Sequence, residues 1–107
     1  MRELYDAYAA DNTGTLTVTT TKGVSVLPAR INRVYAIIRT NTDDCIVNIH
    51  LGSEKNVAVS GLMLRYYGDA VVLGGDYWWS GEVWAKAAAG GALTTAYLTV
   101  TEVCWRR

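Results

Sequence analysis

The residues that could carry out chemistry are few and widely spaced in this sequence. His50 is the only histidine, and the two cysteines, Cys45 and Cys104, stand far apart. A nucleophilic pair would need a thiolate beside the imidazole. Cys45 and His50 fall in one apparent strand at an odd spacing, which points their side chains to opposite faces. We therefore predict no catalytic residues and expect that the protein is not an enzyme.

Metal and cofactor motifs are also missing from the sequence. One histidine and two separated cysteines do not make a structural zinc site, and Asp43-Asp44 lacks the oxygen spacing of a calcium loop. The glycine pairs Gly74-Gly75 and Gly90-Gly91 do not open a phosphate-binding helix. Carboxylates that a glycosidase would pair are present, but no two are singled out: Glu54, Asp69, Asp76 and Glu82. We expect no cofactor and no bound metal.

Charge and hydropathy narrow the range of partners. Ten Lys and Arg balance ten Asp and Glu, so the basic excess of a nucleic-acid binder is missing. No apolar run approaches the roughly 20 residues that span a bilayer, and the first residues do not form a signal peptide. We expect synthesis in a cytoplasm and no nucleic-acid or membrane partner. Two buried thiols are then favoured over a disulfide, although neighbouring strands could still be bridged.

The elements that must position these residues are strands. Alternating apolar residues occur in Thr15–Thr21, Val34–Thr40 and Cys45–Leu51, and turn residues recur roughly every ten positions. The polar stretch 41–44 predicts a β-hairpin between the second and third of these strands. Roughly eight or nine short strands at this spacing predict an all-β fold, an antiparallel β-sandwich of the jelly-roll kind.

The chain divides into a short leading segment and one domain. Residues 1–14 are predicted to be an N-terminal arm or a marginal helix, ended by a break at 11–14, and residues 15–107 the β-sandwich domain. Leu4, Tyr5 and Tyr8 are the apolar side chains with which the arm would strap a neighbouring subunit.

Aromatic residues are concentrated in the second half of the chain. Phe is absent, and six rings fall within 19 residues: Tyr66, Tyr67, Tyr77, Trp78, Trp79 and Trp84. These rings could fill a core without Phe, form a subunit interface, or stack on sugar rings. Trp78 and Trp79 cannot both face inward from a strand. We assign the interface to the arm residues together with Tyr66, Tyr67, Tyr77, Trp78 and Trp79, and keep glycan stacking as the alternative.

The order of motifs resembles small β-sandwich structural proteins of tailed bacteriophages, found as capsid decoration proteins, head-fibre bases and tail or neck components. The resemblance covers roughly residues 28–103 and rests on these stretches: Pro28-Ala29-Arg30, Arg33–Ile38, Asn41-Thr42, Val47–Gly52, Gly61–Leu64, Gly81–Ala85 and Leu98–Glu102. It implies an oligomeric protein of the virion, often trimeric.

The sequence thus predicts a virion structural protein, made in the host cytoplasm. Its partners would be further copies of itself, as a homo-oligomer such as a trimer, and the major capsid or other virion proteins. We expect a capsid decoration protein that covers seams between capsid subunits. A carbohydrate-binding module and a phage tail or neck component remain as alternatives.

Overall fold

The computed structural model describes residues 10–52, 62–75 and 78–104, with side chains from residue 14 onward. These residues form eight strands and no helix: β1 (Ala10–Thr19), β2 (Val24–Leu27), β3 (Arg33–Thr40), β4 (Ile46–Leu51), β5 (Leu62–Leu64), β6 (Ala70–Leu73), β7 (Val83–Ala88) and β8 (Thr95–Cys104). Of the predicted arm, which spans residues 1–14, residues 1–9 lie outside the described residues.

The strands form two antiparallel sheets of four. The first sheet has the order β1-β8-β3-β6 and the second has the order β2-β7-β4-β5. The two halves of the chain pair in reverse order, since β1 pairs with β8, β2 with β7, β3 with β6, and β4 with β5. This nested pairing, rolled into two sheets, is the topology of an eight-stranded jelly roll. The predicted all-β jelly-roll sandwich is confirmed.

The core between the sheets is aliphatic. Alternate residues of the strands point inward, and the largest completely buried apolar side chains are Val18, Ile38, Val47, Ile49, Leu64, Val83 and Leu98. Burying each such side chain contributes about 1.5–3 kcal/mol. No aromatic residue of the described part is buried; Trp79 alone packs against the core, from its margin. The aromatic rings of the described residues are therefore left for the surface or the margin of the core. Filling the core, one of the roles that the sequence left open for them, falls to aliphatic side chains.

The predicted hairpin around residues 41–44 is also wrong. β3 belongs to the first sheet and β4 to the second, so the chain crosses from one sheet to the other at this point. Both strands bury one face, and that pattern is the same whether two strands pair or face each other across a core. The crossing is fixed by Thr42, which is buried and whose hydroxyl oxygen accepts a hydrogen bond of 2.9 Å from the Tyr97 N–H.

The first strand begins earlier than predicted. Ala10 pairs with Cys104 and Gly14 with Val100, so the break expected at 11–14 is instead part of β1. β8 is ten residues long, and its edge supplies a ladder of hydrogen bonds that outweighs the turn preference of Asp, Asn and Gly.

Gly91 lies against the crossing between β3 and β4, which gives a test of that crossing. A Cβ atom at position 91 would stand 2.4 Å from the Asp44 carbonyl oxygen, whereas one at Gly14 would meet nothing within 4 Å. Gly91→Ala should lower the free energy of unfolding by about 1–3 kcal/mol, the usual cost of overpacking. Gly14→Ala, the control, should change it by less than about 0.5 kcal/mol. Urea denaturation followed by tryptophan fluorescence measures both, and equal effects would contradict the assignment.

Candidate functional site

The aromatic cluster of the sequence is divided between two ends of the fold. Tyr66 and Tyr67 lie in the turn before β6, and Trp78 and Trp79 lie after it. β6 itself has four residues, so it separates the two groups by about 13 Å. Tyr67 is 70% exposed and Trp78 is 54% exposed. The interface residues Leu4, Tyr5, Tyr8 and Tyr77 lie outside the described residues.

The turn that carries Tyr66 and Tyr67 is held by acidic side chains. One carboxylate oxygen of Asp69 accepts hydrogen bonds from the N–H groups of Arg65 (3.0 Å) and Tyr66 (2.8 Å). Asp44 accepts a bond of 2.8 Å from Arg65 Nε, and the Arg65 guanidinium stands 5.3 Å from the centre of the Tyr66 ring. The turn is therefore fixed, with both tyrosine rings exposed.

These contacts make the two carboxyl groups more acidic. The pKa of Asp44 is lowered by the hydrogen bond from Arg65 and then by the Ala92 N–H. The pKa of Asp69 is lowered by the N–H groups of Tyr66 and Arg65. A carboxyl group whose pKa is lower in the folded state stabilises the fold above its ordinary pKa. That stabilisation is lost as the pH falls through the lowered value.

This linkage predicts an acid-dependent loss of stability that depends on Asp44 and Asp69. We expect the melting temperature of the unaltered protein to fall as the pH drops from about 5 to about 2. The variant Asp44→Asn/Asp69→Asn should melt lower at neutral pH and show a shallower fall over the same interval, because its amides do not titrate. Differential scanning calorimetry at a series of pH values measures this, and parallel curves would contradict it.

The other end of the fold is organised by a buried arginine. Arg33, at the start of β3, is only 1% exposed. Its Nε donates a hydrogen bond of 2.7 Å to Glu102, and its Nη1 donates to the carbonyl oxygens of Trp79 and Gly81, each at 3.0 Å. Its Nη2 donates to the carbonyl oxygen of Pro28. One guanidinium thus joins β3, β8 and the loops before β3 and β7.

Glu102 neutralises this buried charge and binds a second arginine. Its Oε1 lies 3.1 Å from Arg30 Nε, and the Arg30 side chain is 42% exposed. The Arg30 N–H also donates a bond of 2.7 Å to the Ser80 carbonyl oxygen. The depth of Arg33 could have been anticipated, because Glu102 continues the inward positions of Leu98 and Val100 and a buried carboxylate needs a cation.

The loop held by Arg33 presents two indole rings in different ways. The Trp78 Nε1 donates a hydrogen bond of 2.8 Å to the Arg33 carbonyl oxygen, and its ring remains half-exposed. The Trp79 Nε1 donates to the Glu82 carbonyl oxygen at 2.9 Å, and its ring packs over Gly81, where a Cβ atom would stand 2.7 Å from Trp79 Cζ2. The Trp79 ring therefore lies at the margin of the core, whereas the Trp78 ring is exposed to solvent.

Trp78 continues an apolar patch on the outer face of the first sheet. Ile37 of β3 lies opposite Val72 of β6, and Tyr35 stands beside Gly74, where a Cβ atom would be 3.0 Å from its ring. Tyr35 and Val72 are exposed and Ile37 is half-buried. We call Tyr35, Ile37, Val72 and Trp78 the Trp78 surface. Its members carry no charge, and an exposed apolar group of this kind is typical of an interaction site.

A groove of about 360 Å³ opens beside this surface, between the edge strands β5 and β6. Among the residues that the structure describes, its lining side chains are apolar: Leu51, Leu62, Ala70, Val71, Val72, Leu73, Trp78 and Trp79. These lining residues offer contact area and bring no carboxylate, imidazole or thiol to the groove.

The reactive side chains do not form a site elsewhere in the described residues. No group of three or more His, Cys, Asp and Glu in that part is placed to hold a metal ion. Cys45 and Cys104 are both free and buried, which confirms the prediction of two separate thiols. Burial raises the pKa of each thiol, so both are poor nucleophiles near neutral pH. No helix in the described ranges is long and apolar enough to cross a membrane.

The buried pair of Arg33 and Glu102 gives a stability prediction with a matched control. Arg33→Met removes four hydrogen bonds to Glu102 and the two loops and leaves the buried carboxylate with the exposed Arg30. It should reduce the free energy of unfolding by about 3–5 kcal/mol. Arg30→Met removes a partly exposed arginine and leaves Glu102 paired with Arg33, so it should cost less, about 1 kcal/mol. Urea denaturation measures both, and similar losses would contradict a special role for Arg33.

Comparison with protein-family models, with curated proteins and with solved structures finds no match to this chain.

Proposed function

We propose that this protein is a non-enzymatic structural protein of a virion. It would act as an oligomeric capsid decoration protein that covers seams between capsid subunits. The observation that carries the proposal is the Trp78 surface, an uncharged aromatic and apolar patch on a rigid sheet. In the described residues, no group of three or more His, Cys, Asp and Glu is placed to hold a metal ion.

The Trp78 surface has the properties of a docking site that is formed before binding. Trp78 is fixed by its hydrogen bond to the Arg33 carbonyl oxygen, and Tyr35, Ile37 and Val72 project from paired strands. Little side-chain entropy is therefore lost when a partner covers them, and a central Trp or Tyr often dominates the affinity of an interface. The net charge of zero adds no repulsion between copies packed closely on a shell.

The protein would stabilise the shell by binding to it, without catalysing a reaction. A protein that binds only the assembled shell stabilises that shell in proportion to its affinity and concentration. Each apolar square ångström removed from water at the seam contributes about 25 cal/mol before the entropic cost of association is subtracted. The two sheets of the jelly roll pack on one aliphatic core, and this packing supports the sheet that carries the contact.

Binding to shells that lack the protein tests the role of Trp78. Trp78→Ala should weaken binding to such shells by at least about tenfold, since a hot-spot tryptophan contributes 2 kcal/mol or more. Leu93→Ala is the control, because Leu93 is also exposed but lies at the opposite end of the fold, beside Asp44. It should bind like the unaltered protein. Co-sedimentation with purified shells measures both, and unchanged binding by Trp78→Ala would refute the assignment.

The predicted strap at the N-terminus is tested by a truncation that leaves β1 intact. Removal of residues 1–12 would also delete the start of β1, since that strand begins at Ala10. A chain lacking residues 1–9 keeps the whole strand, so we expect it to melt at an unchanged temperature and to assemble less tightly. Equal assembly, measured by light scattering behind size-exclusion chromatography, would rule out a strap formed by Leu4, Tyr5 and Tyr8.

A carbohydrate-binding module is the second candidate, and the exposed ring of Trp78 beside the groove favours it. A sugar ring could stack on that indole, whose polar edge is already bonded to the Arg33 carbonyl oxygen. The exposed rings do not form one wide platform, because β6 separates Tyr66 and Tyr67 from Trp78. Quenching of tryptophan fluorescence by sugars, lost in Trp78→Ala, would favour this candidate. A role in the phage tail or neck would use the same surface with another virion protein.

A further inference from the structure

The two sheets have four edges, and three of them are protected against pairing with another chain. An exposed edge offers unpaired N–H and C=O groups, which natural proteins protect with short strands, bulges, proline or charge. β5 has three residues and β6 has four. β2 has four residues, carries an irregularity between Ser25 and Leu27, and stops before Pro28.

In the part of the chain that the structure describes, the fourth edge, β1, has little of this protection. It has ten residues and pairs with β8 in one unbroken register from Ala10↔Cys104 to Thr19↔Thr95. It contains no proline and no lysine, and its single charged residue is Asp11, near its start. Within the described ranges, β8 is the one strand that pairs with it. A long, regular edge without protection is what a partner strand would cover.

We infer that β1 pairs antiparallel with β1 of a second copy of this chain, across a twofold axis. This inference rests on the proposed oligomeric function and names the contact between copies. The two four-stranded sheets would join into one of eight strands, with β1 and its symmetry mate at the centre. A twofold contact of this kind builds a dimer, whereas the resemblance to phage proteins suggests a trimer.

The sequence of β1 is complementary to itself in one particular register. Residues directly opposite in an antiparallel pair lie on the same face of the sheet, so the two positions must both be odd or both be even. With Thr15 opposite its own symmetry mate, Thr17 lies opposite Thr13 and no two like charges meet. Threonine pairs across strands are favourable. Thr15 and Thr17 are both exposed, so their side chains are free to take part.

The inner face of β1 supports the same register. Leu16 is half-buried and Val18 is fully buried, so the even positions face the core. Gly14 shares that face, and a Cβ atom there would meet nothing within 4 Å. The register places Leu16 of the second copy opposite Gly14. The open space at Gly14 would then receive an apolar side chain from the neighbouring copy.

Disulfide trapping tests this pairing at residue resolution. In the full chain, Thr15→Cys would stand opposite its symmetry mate with Cα atoms about 4.5–5.5 Å apart, within the range of a disulfide. Thr99→Cys is the matched control, because Thr99 pairs with Thr15 within the sheet but belongs to β8. Two copies of position 99 would be three strand spacings apart, about 14 Å. The native thiols are buried and should not react.

The expected result is that mild oxidation shifts most of the Thr15→Cys protein to a dimer band on a non-reducing gel, while Thr99→Cys stays monomeric. Equal cross-linking of both variants, or none by Thr15→Cys, overturns the pairing. Mass measurement of the unaltered protein by light scattering separates this failure from that of the proposed function. An oligomer that fails to cross-link at Thr15 rejects only the β1 contact, and a monomer that also fails to bind shells rejects both.

Discussion

The charge of Arg33 sits between the two sheets, and much of one end of the fold depends on neutralising it. A buried guanidinium is tolerated only when its N–H groups are bonded and a carboxylate lies beside it. Glu102 supplies the carboxylate, while the carbonyl oxygens of Pro28, Trp79 and Gly81 accept the remaining bonds. These acceptors come from two loops with no regular structure of their own. Arg33 therefore holds the backbone of these loops in position, as backbone hydrogen bonds hold a strand in a sheet.

Fixing the loops in this way has a consequence for the surface. Because the backbone at Trp79 and Gly81 is held, the neighbouring Trp78 is presented in one orientation, with its indole nitrogen bonded to Arg33 itself. The core does not need that ring, since aliphatic side chains fill the space between the sheets. An aromatic residue that is rigid, exposed and unnecessary for packing is better suited to contact with another molecule than to stability. Arg33 thus has two roles: it stabilises this end of the fold, and it orients Trp78 in the proposed docking surface.

The jelly roll also explains why the remaining surfaces differ from one another. Nested pairing leaves β5 and β6 as short edges on one side of the sandwich and β1 and β2 as edges on the other. The Trp78 surface belongs to the side of β6, whereas the unprotected edge belongs to β1. A subunit could therefore contact a second copy through β1 and still present Trp78 to a different protein. The two contacts would not compete, because β8 lies between β1 and the β3 residues of the Trp78 surface.

The sequence alone determined that this chain folds as strands, since apolar residues alternate with polar ones in β1, β3, β4 and β8 and glycines and acidic residues separate them. It also indicated two buried thiols. It did not determine which strands pair. The pattern around residues 41–44 suits a hairpin as well as a crossing, because a strand buries the same face in either case. Tertiary structure decided that β3 and β4 face each other across the core and that β1 extends back to Ala10. It also decided that β6 separates Tyr66 and Tyr67 from Trp78 and Trp79. Those outcomes depend on contacts between residues distant in sequence, such as Arg33 with Glu102 and Thr42 with Tyr97, which local periodicity does not record.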